Sequence, residues 1–189
     1  MKMVEGDLWK EVDSGKYDAV LIPTNGAVSY KTGEAAMGAG VAKTAKIKYP
    51  GIEKKLGTLL RVNASRATDP HRKEPWNIPY LMGRTPNGTR IISFPTKPVW
   101  VYSEGYNQHV MERFRAEVSQ KGRMPGWARK SDLVLIDRSA ENVAKIADDQ
   151  NFNLIALPTV GTGLGELEAS DVIPVLEKHF DHRFCVVIK

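Results

Sequence analysis

The sequence predicts an α/β domain in which helices cover both faces of a mixed central sheet. Short apolar runs, typical of buried strands, recur along the 189 residues, and stretches with helical periodicity lie between them. Hydrophobic residues make up 42% of the chain, which excludes a disordered protein and is enough for a core without a disulfide or metal. The length fits one three-layer domain over residues 1–189.

Apolar runs bounded by turn residues define the predicted strands. Asn87-Gly88, between two such runs, is a strong signal for a tight β-hairpin. The predicted strands cover residues 18–23, 58–62, two runs within 80–94, 132–137, 152–158 and 184–188.

Helical periodicity fills most of the remaining chain. The predicted helices cover residues 40–49, 106–121, 139–149 and 170–180, with Ser139 and Ser170 as N-caps of the last two. Two stretches show neither pattern, and we expect surface insertions at about 63–79 and 122–130. The second is basic and includes Trp127, which fits either a patch for single-stranded nucleic acid or a solvated loop.

The charge and hydropathy of the chain limit the classes of partner that we expect. The formal net charge of +5 and the pI of about 9.3 favour an anionic partner without identifying it. No apolar run approaches the ~20 residues that span a bilayer, and the N-terminus becomes acidic before any apolar stretch. We therefore expect a cytoplasmic protein with no membrane partner. Its one cysteine, Cys185, excludes an internal disulfide and a cysteine-rich zinc site.

Two glycine-rich loops each join a predicted strand to a helix. Residues 33–40 lead into the helix at 40–49, where free N–H groups suit a phosphate; a simple helix cap is the alternative. This is not a Walker A loop, because Ala39 stands where the lysine must be. Residues 157–165 form the second loop, which is followed by too little chain for a dinucleotide-binding unit. We interpret the loops as two walls of a cleft that holds a diphosphate.

Lys97 lies between two prolines at the end of a predicted strand. A lysine at such a position usually faces solvent. At the mouth of a cleft, partial burial would instead lower its pKa and leave an amine nucleophile.

The order of these motifs resembles that of the macrodomain family. Gly6-Asp7-Leu8 matches an early family motif, Asn25 a strand-ending asparagine, and the two loops its phosphate-binding segments. The resemblance implies a three-layer α/β/α macrodomain-like fold and an ADP-ribose site that needs neither a cofactor nor a metal ion. The implied binding residues are Asp7, Leu8, Asn25, Met37, Gly38, Ala39, Gly40, Val41, Thr159, Gly161, Thr162, Gly163, Leu164 and Gly165.

Two of these residues have simpler alternative roles. In the family the aspartate at Asp7 accepts a hydrogen bond from the adenine amino group, whereas a helix N-cap is the common role for such a residue. Asn25 is implied to contact the distal ribose, or else serves as a turn residue before Gly26.

Within the family, the chain is most similar to the branch of the terminal ADP-ribose protein glycohydrolase and the DarG-type antitoxins, which remove ADP-ribose from DNA. The shared features are a Met-Gly-x-Gly loop and, with the antitoxins, Phe-Pro-Thr-Lys ending at Lys97. The resemblance implies that Lys97 is the catalytic nucleophile. Gly165 replaces the aspartate of the protein glycohydrolase, as in the antitoxins. Glu166 is new; it is either an acid or base or, as we favour, a surface side chain.

We therefore expect a hydrolase that removes mono-ADP-ribose from a macromolecule, with ADP-ribosylated DNA or protein as partner and nucleic acid as a further candidate. A reader of ADP-ribose without turnover and a phosphatase acting on ADP-ribose 1″-phosphate are the alternatives.

Overall fold

A six-stranded mixed sheet forms the centre of the protein in the computed structural model, which describes residues 1–66 and 74–188. The strands are β1 (Lys2–Glu5), β2 (Ala19–Asn25), β3 (Leu81–Arg84), β4 (Arg90–Lys97), β5 (Trp100–Tyr102), β6 (Arg123–Pro125), β7 (Ile155–Pro158) and β8 (Phe184–Ile188). The α-helices are α1 (Leu8–Asp13), α2 (Gly40–Lys48), α3 (Ile52–Arg66), α4 (Arg115–Lys121), α5 (Leu133–Asp149) and α6 (Ala169–Glu177).

The sheet has the order β1-β8-β7-β2-β4-β3. All neighbours are parallel except the hairpin partners β3 and β4. Strand β2 lies between β7 and β4, with Ala19 opposite Ile155 on one side and Arg90 on the other. Because the parallel strands share one direction, β2, β4 and β7 end at the same edge of the sheet.

Helices pack on both faces of this sheet. Alternate residues of β2 point to opposite sides: Val20 and Ile22 join the core under α1, α2 and α3, whereas Leu21 joins the core under α5 and α6. A strand buried on both faces reads as a continuous apolar run, which is why residues 18–23 were recognisable. The three-layer α/β/α prediction is confirmed.

The hairpin and four other predicted elements are also confirmed. Strands β3 and β4 pair antiparallel around the turn, where the Gly88 N–H donates to the Thr85 carbonyl at 3.0 Å and Gly88 has a φ of 94°. The remaining confirmed predictions are the strands within 18–23, 152–158 and 184–188 and the helix at 40–49.

Two predicted strands are wrong, because they belong to helices. Residues 58–62 lie within α3, and residues 132–137 contain the start of α5. A short apolar run at a helix start cannot be told from a buried strand by periodicity alone. Asp132, not Ser139, caps α5 by accepting hydrogen bonds from Val134 and Leu135, and the buried Ser139 hydroxyl donates to Pro95.

The other three predicted helices are present with different boundaries, and the one at 139–149 is the C-terminal part of α5. The helix predicted at 106–121 begins only at Arg115, after a 3₁₀ turn over Glu112–Phe114. Helix α6 starts at Ala169 with Glu168 in the N-cap position, so Ser170 lies inside the helix.

The predicted insertions contain more regular structure than expected. Residues 63–66 complete α3, and residues 67–73 lie outside the described part of the chain. Residues 122–130 include β6, which pairs antiparallel with β5. The segment around this small sheet has its own core, formed by Val101, Val110, Val118, Met124 and Ala128. No helix within 1–66 or 74–188 is long and apolar enough to cross a membrane.

Candidate functional site

A cavity of about 800 Å³ opens where β2, β4 and β7 end. Parallel α/β sheets commonly bind ligands at this edge. The predicted residues that line the cavity are Asn25, Met37, Gly38, Ala39, Gly40, Val41, Lys97, Thr159, Gly161, Thr162, Leu164 and Gly165. Asp7, Leu8 and Gly163 are absent from its described lining.

The first glycine-rich loop supplies free backbone donors to the cavity. Ala39 occupies the N-cap position of α2 and provides no side-chain hydrogen bond to the helix. The first N–H groups of a helix have no partner within it, and here the first-turn residues line the cavity. Gly40 adopts a φ of 55°, a left-handed conformation that favours glycine. The N-terminus of α2 can therefore receive an anion.

The second loop is a tight turn packed against α5. Gly161 has a φ of 78°, and a Cβ there would lie 2.8 Å from Ile136. A Cβ on Gly165 would lie 2.5 Å from the Ser131 hydroxyl oxygen. The Gly165 N–H donates to the Thr162 carbonyl at 2.9 Å. These contacts hold the loop on one side of the cavity and exclude side chains at both glycines.

Asn25 closes the first loop. Its amide nitrogen donates to the Ala36 carbonyl at 2.9 Å, and its oxygen accepts from the Ala27 N–H at 2.9 Å. Both ends of the amide thus fix the chain after β2. The turn role is confirmed, and ribose contact by this cavity-lining residue stays a prediction.

Asp7 is the N-cap of α1. Its carboxylate accepts hydrogen bonds from Trp9 at 2.9 Å and from Lys10 at 3.1 Å. Leu8 is buried in the core between the sheet and α1. The capping role of Asp7 is confirmed, whereas its contact with adenine stays a prediction.

Lys97 ends β4 at the wall of the cavity, where the second glycine-rich loop and the segment containing Met111 and Trp127 contribute acceptors for it. Its Nζ lies 2.9 Å from the Leu164 carbonyl, 3.3 Å from the Trp127 carbonyl and 3.1 Å from the Met111 sulfur. Burial and, to a smaller extent, the nearby charge of Arg113 lower the pKa of Lys97 to about 8, whereas Glu166 opposes the shift. The side chain is thus partly buried and does not face solvent as an ordinary lysine does.

The described lining also contains residues that were not predicted, and three of them lie near Lys97 in the structure or in the same segment: Arg113, Trp127 and Ser131. Ser131 is 7% exposed, and its hydroxyl oxygen has no hydrogen-bond partner in the structure. Trp127 packs edge-to-face against Phe114, with ring centroids 5.0 Å apart. None of the three belongs to a glycine-rich motif, and their spacing in the sequence carried no signal.

The cations of the 122–130 region and its neighbour Lys121 all have partners. Lys121 pairs with Glu117 at 2.6 Å, Arg129 with Asp132 at 2.9 Å, and Lys130 with Glu166 at 3.5 Å. The Arg123 guanidinium lies 5.0 Å from the centre of the Trp100 ring. These four cations therefore do not form a row of unpaired positive charges beside Trp127. The surface interpretation of Glu166 is confirmed, since this exposed residue pairs with Lys130.

The polar residues near the C-terminus, His179 and Asp181, contact charged side chains of the protein itself. His179 lies 3.1 Å from Asp137, and Asp181 pairs with Arg183 at 2.8 Å. Within the described ranges, no group of three or more histidine, cysteine, aspartate or glutamate residues is placed to hold a metal ion. Cys185 is buried as a free thiol.

Comparison with known proteins places this architecture among solved structures. No family model matches the chain, and no curated protein matches it. It is similar to the macrodomain of Mycobacterium tuberculosis DarG, at 19% identity and a TM-score of 0.63, over 98% of this chain and 96% of that one. The macrodomain of Thermus aquaticus DarG is similar at 17% identity and a TM-score of 0.62, over 99% and 95%.

A third similar structure is Thermosipho africanus DarTG in complex with ADP-ribose, at 15% identity and a TM-score of 0.64. The alignment covers 100% of this chain and 42% of that protein. At these identities the similarity establishes the architecture, and together with the sheet order and the position of the cavity it leads to one conclusion: the chain has the macrodomain fold.

Proposed function

We propose that this protein binds ADP-ribose in the cavity at the ends of β2, β4 and β7. The similar Thermosipho africanus structure was solved with ADP-ribose. The cavity has the size of ordinary small-molecule sites, about 800 Å³. Its two glycine-rich walls offer backbone N–H groups at the α2 N-terminus and in a tight turn, which suit a diphosphate.

We further propose that the bound ADP-ribose is removed from a macromolecule, with Lys97 as the nucleophile. The observation that carries this step is the position of the Lys97 amine at the cavity wall, beside the second loop, with its pKa lowered to about 8. At pH 7 roughly a tenth of such amines are neutral, whereas an ordinary lysine is almost fully charged.

In the proposed reaction, the lone pair of the neutral Lys97 amine attacks the anomeric carbon of the distal ribose. The bond between that carbon and the acceptor breaks, and the acceptor leaves with one of the protons of the attacking amine. The bond between the anomeric carbon and the ring oxygen then breaks, the ring oxygen takes the second amine proton, and the opened sugar is held as a Schiff-base adduct. Water then adds to the adduct, which releases ADP-ribose and regenerates the amine. The step requires neither a metal ion nor a redox partner.

The packing at Gly165 supports a mechanism without a carboxylate in the second loop. A side chain there would meet the Ser131 hydroxyl at 2.5 Å, so this loop has no room for the aspartate of the protein glycohydrolase. The chain shares this glycine with the DNA-acting branch. We therefore favour ADP-ribosylated DNA over ADP-ribosylated protein carboxylates as the substrate.

A reader without turnover is the second candidate, and one observation favours it. Two carbonyl oxygens and a sulfur surround the Lys97 nitrogen. Such acceptors stabilise an ammonium ion, which binds but does not attack. In this case Lys97 would join the second glycine-rich loop to the segment that contains Trp127.

A parallel assay separates these functions. Wild type and Lys97→Ala are incubated with ADP-ribosylated DNA, ADP-ribosylated protein and ADP-ribose 1″-phosphate, and binding of free ADP-ribose is measured by calorimetry. We expect ADP-ribose release from DNA by wild type, and a loss of at least about a hundredfold in Lys97→Ala because the nucleophile is gone. Lys145→Ala, which removes an exposed lysine on α5, is the matched control.

Each other outcome selects an alternative. Tight ADP-ribose binding with no product from any substrate identifies a reader. Phosphate release from ADP-ribose 1″-phosphate alone identifies a phosphatase. Full activity of Lys97→Ala rejects the nucleophile.

A further inference from the structure

A second cavity of about 660 Å³ lies beside the first. We call it the aromatic cleft, since Tyr30, Trp76, Trp100 and Trp127 line it. Small residues, including Gly26 and Ala27 from the end of β2, form much of the remaining wall. The stretch predicted as either a nucleic acid patch or a solvated loop contributes Pro125 and Trp127 to this cleft.

The aromatic cleft is continuous with the ADP-ribose cavity. Ser29, Ala36 and Trp127 line both. The Trp127 carbonyl also accepts a hydrogen bond from Lys97 at 3.3 Å, so this residue joins the proposed nucleophile to the cleft. A group attached to the sugar that Lys97 attacks therefore has the cleft as its neighbouring space.

The chemistry of the cleft favours a flat aromatic ligand. Tyr30 is 88% exposed, although its ring stacks at 29° on Trp100, with centroids 6.4 Å apart. An exposed aromatic ring of this kind can serve as a stacking platform, because its free face is open to a second ring. The three tryptophans of the cleft are half-buried, so Tyr30 is its most exposed ring.

The charges around the cleft favour a ligand that also carries phosphate. Arg61 of α3 is the one charged residue among the described residues that line the cleft. Arg123 adds a second guanidinium over the Trp100 ring, at 5.0 Å from its centre. The described lining combines aromatic rings with one arginine and no carboxylate, and Arg123 lies beside it, which matches the composition of single-strand nucleic acid sites.

We infer that the aromatic cleft binds a base of a single-stranded nucleic acid, stacked on Tyr30, with Arg61 near the backbone phosphate. The inference rests on the proposed function for what the strand carries, namely an ADP-ribose that enters the neighbouring cavity. It adds the place where the acceptor itself is held. A peptide or a second copy of this chain would need apolar or acidic complementarity and not stacking.

Fluorescence anisotropy with a short, unmodified single-stranded DNA oligonucleotide tests the inference on the full chain. Tyr30→Ala should weaken binding at least about fivefold, since loss of one base–aromatic stack has an effect of this size. Tyr106→Ala is the matched control, because Tyr106 is 92% exposed and outside the described lining of the cleft. Arg61→Gln should weaken binding and flatten its salt dependence.

Free ADP-ribose provides the second arm of the test. It should not displace the oligonucleotide, because the two ligands occupy different cavities, and Tyr30→Ala should bind ADP-ribose as wild type does. The inference is overturned if the oligonucleotide does not bind, if Tyr30→Ala and Tyr106→Ala weaken it equally, or if ADP-ribose competes. Failure of ADP-ribose to bind wild type rejects the proposed function alone, since the oligonucleotide arm is read without it.

Discussion

The Lys97 nitrogen lies 2.9 Å from the carbonyl oxygen of Leu164 and thereby joins the end of β4 to the second glycine-rich loop. The two residues are far apart in sequence and form opposite sides of one corner of the cavity. A lysine in this position is exposed to the ligand space while most of its hydration shell is replaced by protein, which is the cause of its lowered pKa.

The activity should increase with pH. The neutral form of Lys97 is the proposed nucleophile, and with a pKa of about 8 its fraction rises as pH increases through 8 and then levels off. We expect the single-turnover rate of ADP-ribose release to rise about tenfold per pH unit below pH 7 and to reach a plateau above pH 9. A rate that falls with rising pH in this range would contradict an amine nucleophile.

Two neighbouring charges should move this profile in opposite directions. Arg113 lowers the pKa of Lys97 and Glu166 raises it. Arg113→Gln should therefore shift the midpoint of the rate profile to higher pH, and Glu166→Gln should shift it to lower pH. Plateau rates report separately on any effect on substrate positioning. Shifts of the same sign in both variants would show that the titrating group is not Lys97.

A side chain at Gly165 should destabilise the protein unless Ser131 is replaced by a smaller residue. Gly165→Ala is expected to lower the free energy of unfolding by about 1–3 kcal/mol, the usual cost of overpacking. The double variant with Ser131→Gly should recover part of this loss, because the nearest atoms to the new Cβ belong to Ser131. Urea denaturation measures both.

Gly38→Ala is the matched control for this comparison. It lies in the first loop, and a Cβ there would meet nothing within 4 Å. We expect its stability to stay within about 0.5 kcal/mol of wild type. Equal losses at Gly38 and Gly165 would mean that loop glycines act through backbone freedom and not through packing.

Two substitutions at Asp7 should separate its capping role from adenine recognition. Asp7→Ala removes the cap of α1 and should cost about 1 kcal/mol of stability, whereas Asp7→Ser keeps a capping oxygen and should cost much less. If the carboxylate also contacts adenine, both variants bind ADP-ribose about tenfold more weakly. Calorimetry and thermal unfolding on both proteins distinguish the roles. Unchanged affinity in Asp7→Ser would leave Asp7 as a cap only.

The elements that sequence reasoning found are those with strong local signals. Strand β2 is buried on both faces, the hairpin turn contains Asn87-Gly88, and α2 follows a glycine-rich loop. The strand predictions for residues 58–62 and 132–137 were wrong, because a short apolar run fits either a buried strand or the inner face of a helix. Packing against the sheet, which periodicity does not report, decides between them.

The residues of the candidate site also differ in how strong their local sequence signal is. The two glycine-rich loops and Lys97 were predicted because each belongs to a short contiguous motif. Arg113, Ser131 and Trp127 reach the cavity only because the segment containing β5 and β6 folds back beside the end of β4. The aromatic cleft was missed for the same reason, as its lining comes from distant parts of the chain.

The reactivity of Lys97 depends on the stability of the segment that contains β5 and β6, which has a small core. Met111 and Trp127, which surround its amine, are attached to a cluster of only five buried residues. A unit with so few apolar contacts opens locally at a lower free energy than the main sheet. Each opening rehydrates the amine and returns its pKa toward 10.5, which protonates it. Slow amide hydrogen exchange in residues 98–130 would thus be a measure of how often the nucleophile is available.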